Sequence, residues 1–110
     1  MNSLLDKQCR HYSNAERALK QQEIEELLVH TPEWEICSAQ THLTRSYSFA
    51  NYKQTIAFVN QVADIAEAHD HHPEMHVSYK QCVVRYNTHT IKGITEKDFI
   101  CAAHIDAILD

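Results

Sequence analysis

Between Asn51 and Ala68 the apolar residues fall in two adjoining rows at helical spacing, Ile56, Val59, Ala63 and Ala66 in one and Phe58, Val62 and Ile65 in the next. A stripe that wide predicts a helix laid against a sheet. Pro73 lacks a backbone N–H and biases His72 away from helical angles, so this helix is expected to end around Ala68 to Asp70. Upstream the period changes to two. Leu43, Arg45, Tyr47 and Phe49 alternate with Thr44, Ser46 and Ser48, which predicts a strand over His42 to Phe49, and Trp34 to Ala39 predicts a strand before it, the two forming a hairpin. His76 to Tyr79 and Cys82 to Thr88 predict a third and a fourth strand, the latter through Val83, Val84 and Tyr86. Gln21 to Val29 places Ile24, Leu27 and Leu28 among acidic residues, the pattern of a short amphipathic helix, stopped by Thr31-Pro32. Gly93 marks a turn. Thr95 and Asp98 have the spacing of a capping box, with Asp in place of the usual Glu, and open a last helix through Phe99, Ile100, Ala103, Ile105 and Ile108.

The order α-β-β-α-β-β-α predicts an α+β fold, a four-stranded antiparallel sheet with about three helices packed on one face. A chain of 110 residues builds one core. We divide it into a polar N-terminal extension over residues 1–20, partly ordered, with a weak capping signal at Ser13 and Glu16, and a domain over residues 21–110. One glycine and two prolines leave no room for a flexible linker. The formal charge of -5 argues against direct nucleic-acid binding, which gathers Lys and Arg against phosphate, and points to a small ligand or a protein partner. No stretch approaches the roughly 18 apolar residues of a membrane span, and the N-terminus lacks the apolar region of a signal peptide, so a cytoplasmic location without membrane contact is expected. Cys9, Cys37, Cys82 and Cys101 are scattered with no Cys-x-x-Cys pair, as expected of reduced thiols.

Candidate chemistry is concentrated in one place. The stretch from Glu67 to His76 contains His69, His71, His72 and His76 at a predicted helix-to-strand corner. Imidazole titrates at about pH 6.5, so such a corner suits general acid–base work or metal binding. Glu67 and His71 stand four apart at a helix end, where the carboxylate either orients the imidazole or is a solvated helix-end charge. His89 falls at the end of the fourth strand, where side chains reach the rim of the sheet. Asp70, His71, His72 and His76 match no standard zinc spacing and Pro73 stiffens the run, so no metal is expected. His11, His30, His42 and His104 are read as structural or solvated, and Trp34, Tyr47, Phe49 and Phe58 as core.

Glu67-x-x-x-His71-His72-Pro73, then Tyr79, His89 and Asp98 at fixed spacing, resembles the signature of the pterin-4a-carbinolamine dehydratases. The resemblance extends to Trp34, to Leu43 through Tyr52 and to Val62-Ala63-x-x-Ala66, covering about Ile24 to Ile108. It implies dehydration of 4a-hydroxytetrahydropterin to the quinonoid dihydropterin and water, in recycling of the tetrahydrobiopterin cofactor of aromatic amino acid hydroxylases, with no metal or organic cofactor. By position-for-position match His71, His89 and His72 are the catalytic histidines, with His71 and His89 as the acid–base pair. His72 and Pro73 shape the pterin pocket, Thr88, Thr90 and Ile91 line its other wall, and Glu67 and Asp98 support, Asp98 as an orienting carboxylate or a helix cap. The resemblance also implies a homodimer or homotetramer and allows a different role, a protein-binding module that serves as a dimerisation or transcriptional cofactor. Met75 stands where many members of that family carry an aromatic residue, and Tyr12 stands where bacterial ones often carry the second cysteine of a pair begun by Cys9.

Overall fold

The computed structural model describes residues 3–7, 9 and 16–109, which leaves the expected cap at Ser13, together with His11 and Tyr12, outside the described residues. Three α-helices, α1 (Gln21–Leu28), α2 (Tyr52–His69) and α3 (Glu96–Ile108), accompany four strands, β1 (Glu35–Ile36), β2 (Leu43–Ser48), β3 (Glu74–Ser78) and β4 (Gln81–Tyr86). All pairings are antiparallel, in the order β1-β2-β4-β3. This is the α+β architecture that the periodicities predict.

Alternation decides which face of the sheet is covered. Leu43, Tyr47, Cys82, Val84 and Tyr86 are buried, while Ser46, Ser48 and Gln81, on the opposite face of the pleat, are exposed. The helices lie on the first set. α3 is the most deeply enclosed of them, with Phe99, Ile100, Cys101, Ala102, Ala103 and Ile105 all buried. It touches α1, α2 and a 3-10 turn at Ser3–Asp6, from which Leu4 enters the core at 1% exposure. Near the other end of the core the aromatic rings meet, Tyr47 on Phe58 at 4.6 Å and Phe49 on Phe58 at 5.1 Å between centroids.

Three elements differ from the pattern that predicted them. On α2 the buried line is Thr55, Phe58, Val62 and Ala66, whereas Ile56 is half-buried and Ala63 exposed. The apolar pattern passes over Thr55 because it is polar. Its hydroxyl bonds the carbonyls of Asn51 (3.0 Å) and Tyr79 (3.2 Å), which satisfies the group inside. The first strand is two residues long and not six. At Cys37 the chain leaves the ladder for a turn closed by Gln40 N–H to the Cys37 carbonyl (2.8 Å), with Gln40 at φ 58°. The β3–β4 hairpin begins earlier than expected, at Glu74, and turns at Tyr79-Lys80.

Candidate active site

The corner after α2 is made by its C-terminus. Asp70 takes the left-handed conformation (φ 50°), one that Asp tolerates better than most residues. Its N–H reaches the Glu67 carbonyl (3.3 Å) and the His71 N–H the Ala66 carbonyl (3.0 Å), the crossed pair of a Schellman closure. The helix therefore ends within the window expected from Pro73, by a device three residues ahead of it. The reversal sends His71 inward, at 7% exposure, and leaves His72 on the surface.

His71 meets a carboxylate brought from α3. Its Nε2 lies 2.5 Å from Asp98 Oδ1, and Asp98 is fully buried. The second oxygen is held equally firmly: Asp98 Oδ2 accepts from Thr88 Oγ1 (2.9 Å) and from the Thr95 backbone N–H (2.9 Å). The two threonine hydroxyls are 2.6 Å apart. Asp98 is thus a helix cap with one oxygen and the partner of His71 with the other. Three donors offset the desolvation of a buried carboxylate. With Asp98 accepting, the N–H of the neutral His71 ring is assigned to Nε2, which leaves Nδ1 as the acceptor nitrogen. The backbone of His71 is fixed as well: Tyr86 Oη donates to its carbonyl (3.2 Å), and the two rings stack at 5.0 Å. Burial pushes the Tyr86 phenol above its ordinary range, so this hydroxyl stays a donor.

Thr88 also anchors the turn that carries His89. Its N–H bonds the Gly93 carbonyl (2.8 Å), and its carbonyl accepts from Ile91 (3.0 Å) and Lys92 (2.9 Å). His89 and Thr90 are exposed on this turn and Ile91 is half-buried. A single carboxylate therefore ties His71 to the residue preceding His89. Gly93 is required here for space: a Cβ on it would stand 2.7 Å from the Ala18 Cβ, at the point where Leu19 N–H bonds the Ile94 carbonyl (2.8 Å).

The remaining expected residues are more peripheral. Glu67 Oε2 lies 3.5 Å from His72 Nε2, so among the described pairs its partner is His72 and the carboxylate on His71 is Asp98. Both members of the Glu67–His72 pair are largely exposed, a setting in which an ion pair contributes little. Pro73 is half-buried at the corner. Thr88 is buried with its hydroxyl on Asp98, and so is not on an open wall. His69 stacks on His104 at 4.6 Å, and burial, with the charges of His104 and His71, holds its pKa below the usual imidazole value. Thr95 and Tyr86 were not among the expected site residues. A signal for the interior polar groups exists, because Thr88 continues the inward phase of Cys82, Val84 and Tyr86, and an inward threonine needs a partner. Among the described residues, no group of three or more His, Cys, Asp or Glu is placed to hold a metal ion, and no helix is long and apolar enough to cross a membrane.

Comparison with known proteins bears on the family of the chain. The family model described as pterin 4 alpha carbinolamine dehydratase matches residues 17–108. A protein of Nitrosomonas eutropha is 44% identical over 107 residues, 96% of this chain and 93% of that protein. One of Hydrogenovibrio crunogenus is 43% identical over 108 residues, 98% of this chain and 96% of that protein. Both bear the name "Putative pterin-4-alpha-carbinolamine dehydratase". A crystal structure from Brucella melitensis, described as a transcriptional coactivator/pterin dehydratase, superposes with a TM-score of 0.81 at 32% identity, covering 86% of this chain and all of that one. A pterin dehydratase-like protein described as a RuBisCO assembly factor of the alpha-carboxysome shares the fold, with a TM-score of 0.60 at 19% identity, over 89% of this chain and 95% of that one. The chain belongs to the pterin 4 alpha carbinolamine dehydratase family.

Proposed function

We propose that this member of the pterin carbinolamine dehydratases removes water from 4a-hydroxytetrahydropterin to give the quinonoid dihydropterin, using His71 and His89 as its proton-transfer pair and no cofactor. The observation that carries this reading is the buried His71–Asp98 contact, with Asp98 also bound to Thr88 beside His89. The reaction breaks the C4a–O bond. One imidazole protonates the departing hydroxyl while the other takes the proton from the ring nitrogen, so that a C=N bond forms as water leaves. Asp98 keeps His71 in one tautomer and stabilises its protonated form during the transfer. His72 and Pro73 bound the pterin on the corner side, with Glu67 beside His72, and Thr90 and Ile91 bound it on the side of the turn.

The test is a stopped-flow absorbance assay of 4a-hydroxytetrahydropterin generated in situ by a hydroxylase, with the spontaneous dehydration as baseline. Acceleration is expected, with losses of about 10²-fold or more in kcat for His71→Ala and for His89→Ala. Rates within a few-fold of wild type in both variants overturn the assignment of the pair. A folded wild type that gives no acceleration overturns the enzyme reading and favours the other one, a protein-binding module.

That second reading has its own observation in the sheet edge. β3 forms the end of the sheet, with Val77 41% exposed and Tyr79 66% exposed in the turn that follows it. An open edge with apolar residues is a pairing surface, and we propose that it supports a homodimer or homotetramer. Sedimentation of a 12.8 kDa monomer at micromolar concentration would remove the oligomer.

A further inference from the structure

Two thiols meet where the N-terminal segment crosses α3. Cys101 lies within that helix and is fully buried. Cys9 is half-buried, outside helix and strand, just beyond the 3-10 turn that packs on α3. They are separated by 92 positions in the chain, yet their Sγ atoms are 3.7 Å apart, and Cys9 Sγ also lies 3.6 Å from the Lys97 carbonyl oxygen. We propose that Cys9 and Cys101 form a redox modification site, an intramolecular disulfide made by reaction with a hydroperoxide, which fastens the N-terminal segment to α3.

The surroundings give the two sulfurs different roles. The hydrogen bond from Cys101 and the Lys97 ammonium group favour the Cys9 thiolate, lowering its pKa against the effect of burial. The same hydrogen bond and burial push the Cys101 thiol up. Cys9, the more accessible of the pair, is therefore the nucleophile and Cys101 the resolving thiol. In the first step the Cys9 thiolate attacks one peroxide oxygen, the O–O bond breaks, and a sulfenic acid and one hydroxide (or alkoxide) result. In the second, Cys101 sulfur attacks Cys9 sulfur and the S–O bond breaks; the hydroxide that leaves takes up the Cys101 proton and departs as water. The two thiols give two electrons in all, and the hydroperoxide is the oxidant reduced. The sulfurs must close to about 2.05 Å. Cys9 can supply that movement, because it belongs to no regular element, whereas Cys101 is held within a buried helix.

The test uses the whole protein, reduced, freed of reductant and treated with hydrogen peroxide, then unfolded, alkylated and weighed intact. The expected product has lost two hydrogens and takes up two alkyl groups where the untreated protein takes up four, one for each free cysteine. Its digest contains a linked pair of peptides bearing Cys9 and Cys101, and dithiothreitol reverses the change. Closing so long a loop raises Tm, by about 10 °C. Cys9→Ala abolishes the product, and Cys37→Ser, which removes a thiol in the β1–β2 turn, leaves it intact. The proposal is overturned if both Cys9 and Cys101 remain open to alkylation after peroxide, if Cys9 is recovered as the sulfinate beside a free Cys101, or if the cross-link joins Cys37 residues of two copies. Cys101→Ser is not needed for any of these outcomes, so a folding defect in that buried position does not affect the result.

Discussion

Two of the carboxylates on α3, Asp98 and Asp106, stand about 12 Å apart along its axis, and both gather three donors. At the C-terminal end Asp106 Oδ1 accepts from Trp34 Nε1 (2.9 Å), Arg45 Nη1 (2.7 Å) and Tyr47 Oη (2.7 Å). At the N-terminal end Asp98 accepts from His71, Thr88 and the Thr95 N–H. The partners separate the two. The groups on Asp106 are fixed donors: guanidinium and indole have no acceptor to offer, and burial together with Asp106 pushes the Tyr47 phenol above its ordinary range. Asp106 therefore pins the sheet to the helix. Asp98 differs in one partner, an imidazole, the side chain whose proton is exchangeable at physiological pH. The same three-donor arrangement pins the sheet at one end of the helix and orients an imidazole at the other.

Exchanging the two ends is the most severe way to break this comparison. Asp98→Asn is expected to lower kcat by about 10²-fold or more, because the amide no longer enforces the Nε2–H tautomer or stabilises the protonated ring. Asp106→Ala is expected to leave kcat within a few-fold of wild type and to destabilise the fold by about 2 kcal/mol through the donors it strands, roughly 8 °C in Tm. Stopped-flow assay and thermal melting of both proteins check this. Comparable kinetic losses at the two positions would remove the distinction.

A smaller effect sharpens the same contrast. The Thr88 hydroxyl is fixed to Asp98, so its contribution passes through the carboxylate. Thr88→Val is expected to lower kcat about tenfold and to move the pH–rate profile, while Thr88→Ser, which keeps the hydroxyl, restores both. A loss of rate with an unmoved profile would mean that Thr88 only supports the turn.

The residues that make the comparison were unequally legible in the sequence. Thr95 and Asp98 declare a helix start by their spacing alone, and β2, β4 and all three helices follow from apolar periodicity. The contact of Asp98 with His71 spans 27 positions and depends on how α3 lies under the corner, which no local pattern encodes. The i, i+4 rule suggested Glu67 for His71 instead. That rule holds along a continuing helix, and here the left-handed Asp70 turns the chain before His71, so the next histidine meets Glu67. Asp106 gave no signal: an aspartate in the last turns of a helix reads as solvated, and its three donors come from β2 and the loop before β1. The histidine signature drew attention to the corner, but the geometry of its support came from packing.

The mildest effect lies between the two carboxylates, where His104 of α3 stacks on His69 beside the corner. Burial lowers the pKa of His69 in the folded protein, with His104 and His71 adding to the shift. The unfolded chain then binds the proton first as pH falls. Stability is fully present above the unfolded value of about 6.5 and is lost as pH drops through that value toward the lower folded one. Wild-type Tm is therefore expected to decline between about pH 7 and pH 5, and His69→Gln to decline less, since its side chain does not titrate. Asp106→Ala, at the other end of the helix, should melt lower throughout but keep the wild-type dependence on pH. Scanning fluorimetry of the three proteins across this range decides the matter. Equal slopes in wild type and His69→Gln would place the acid sensitivity elsewhere, and would leave the histidine stack as packing of the same kind as the Asp106 cluster.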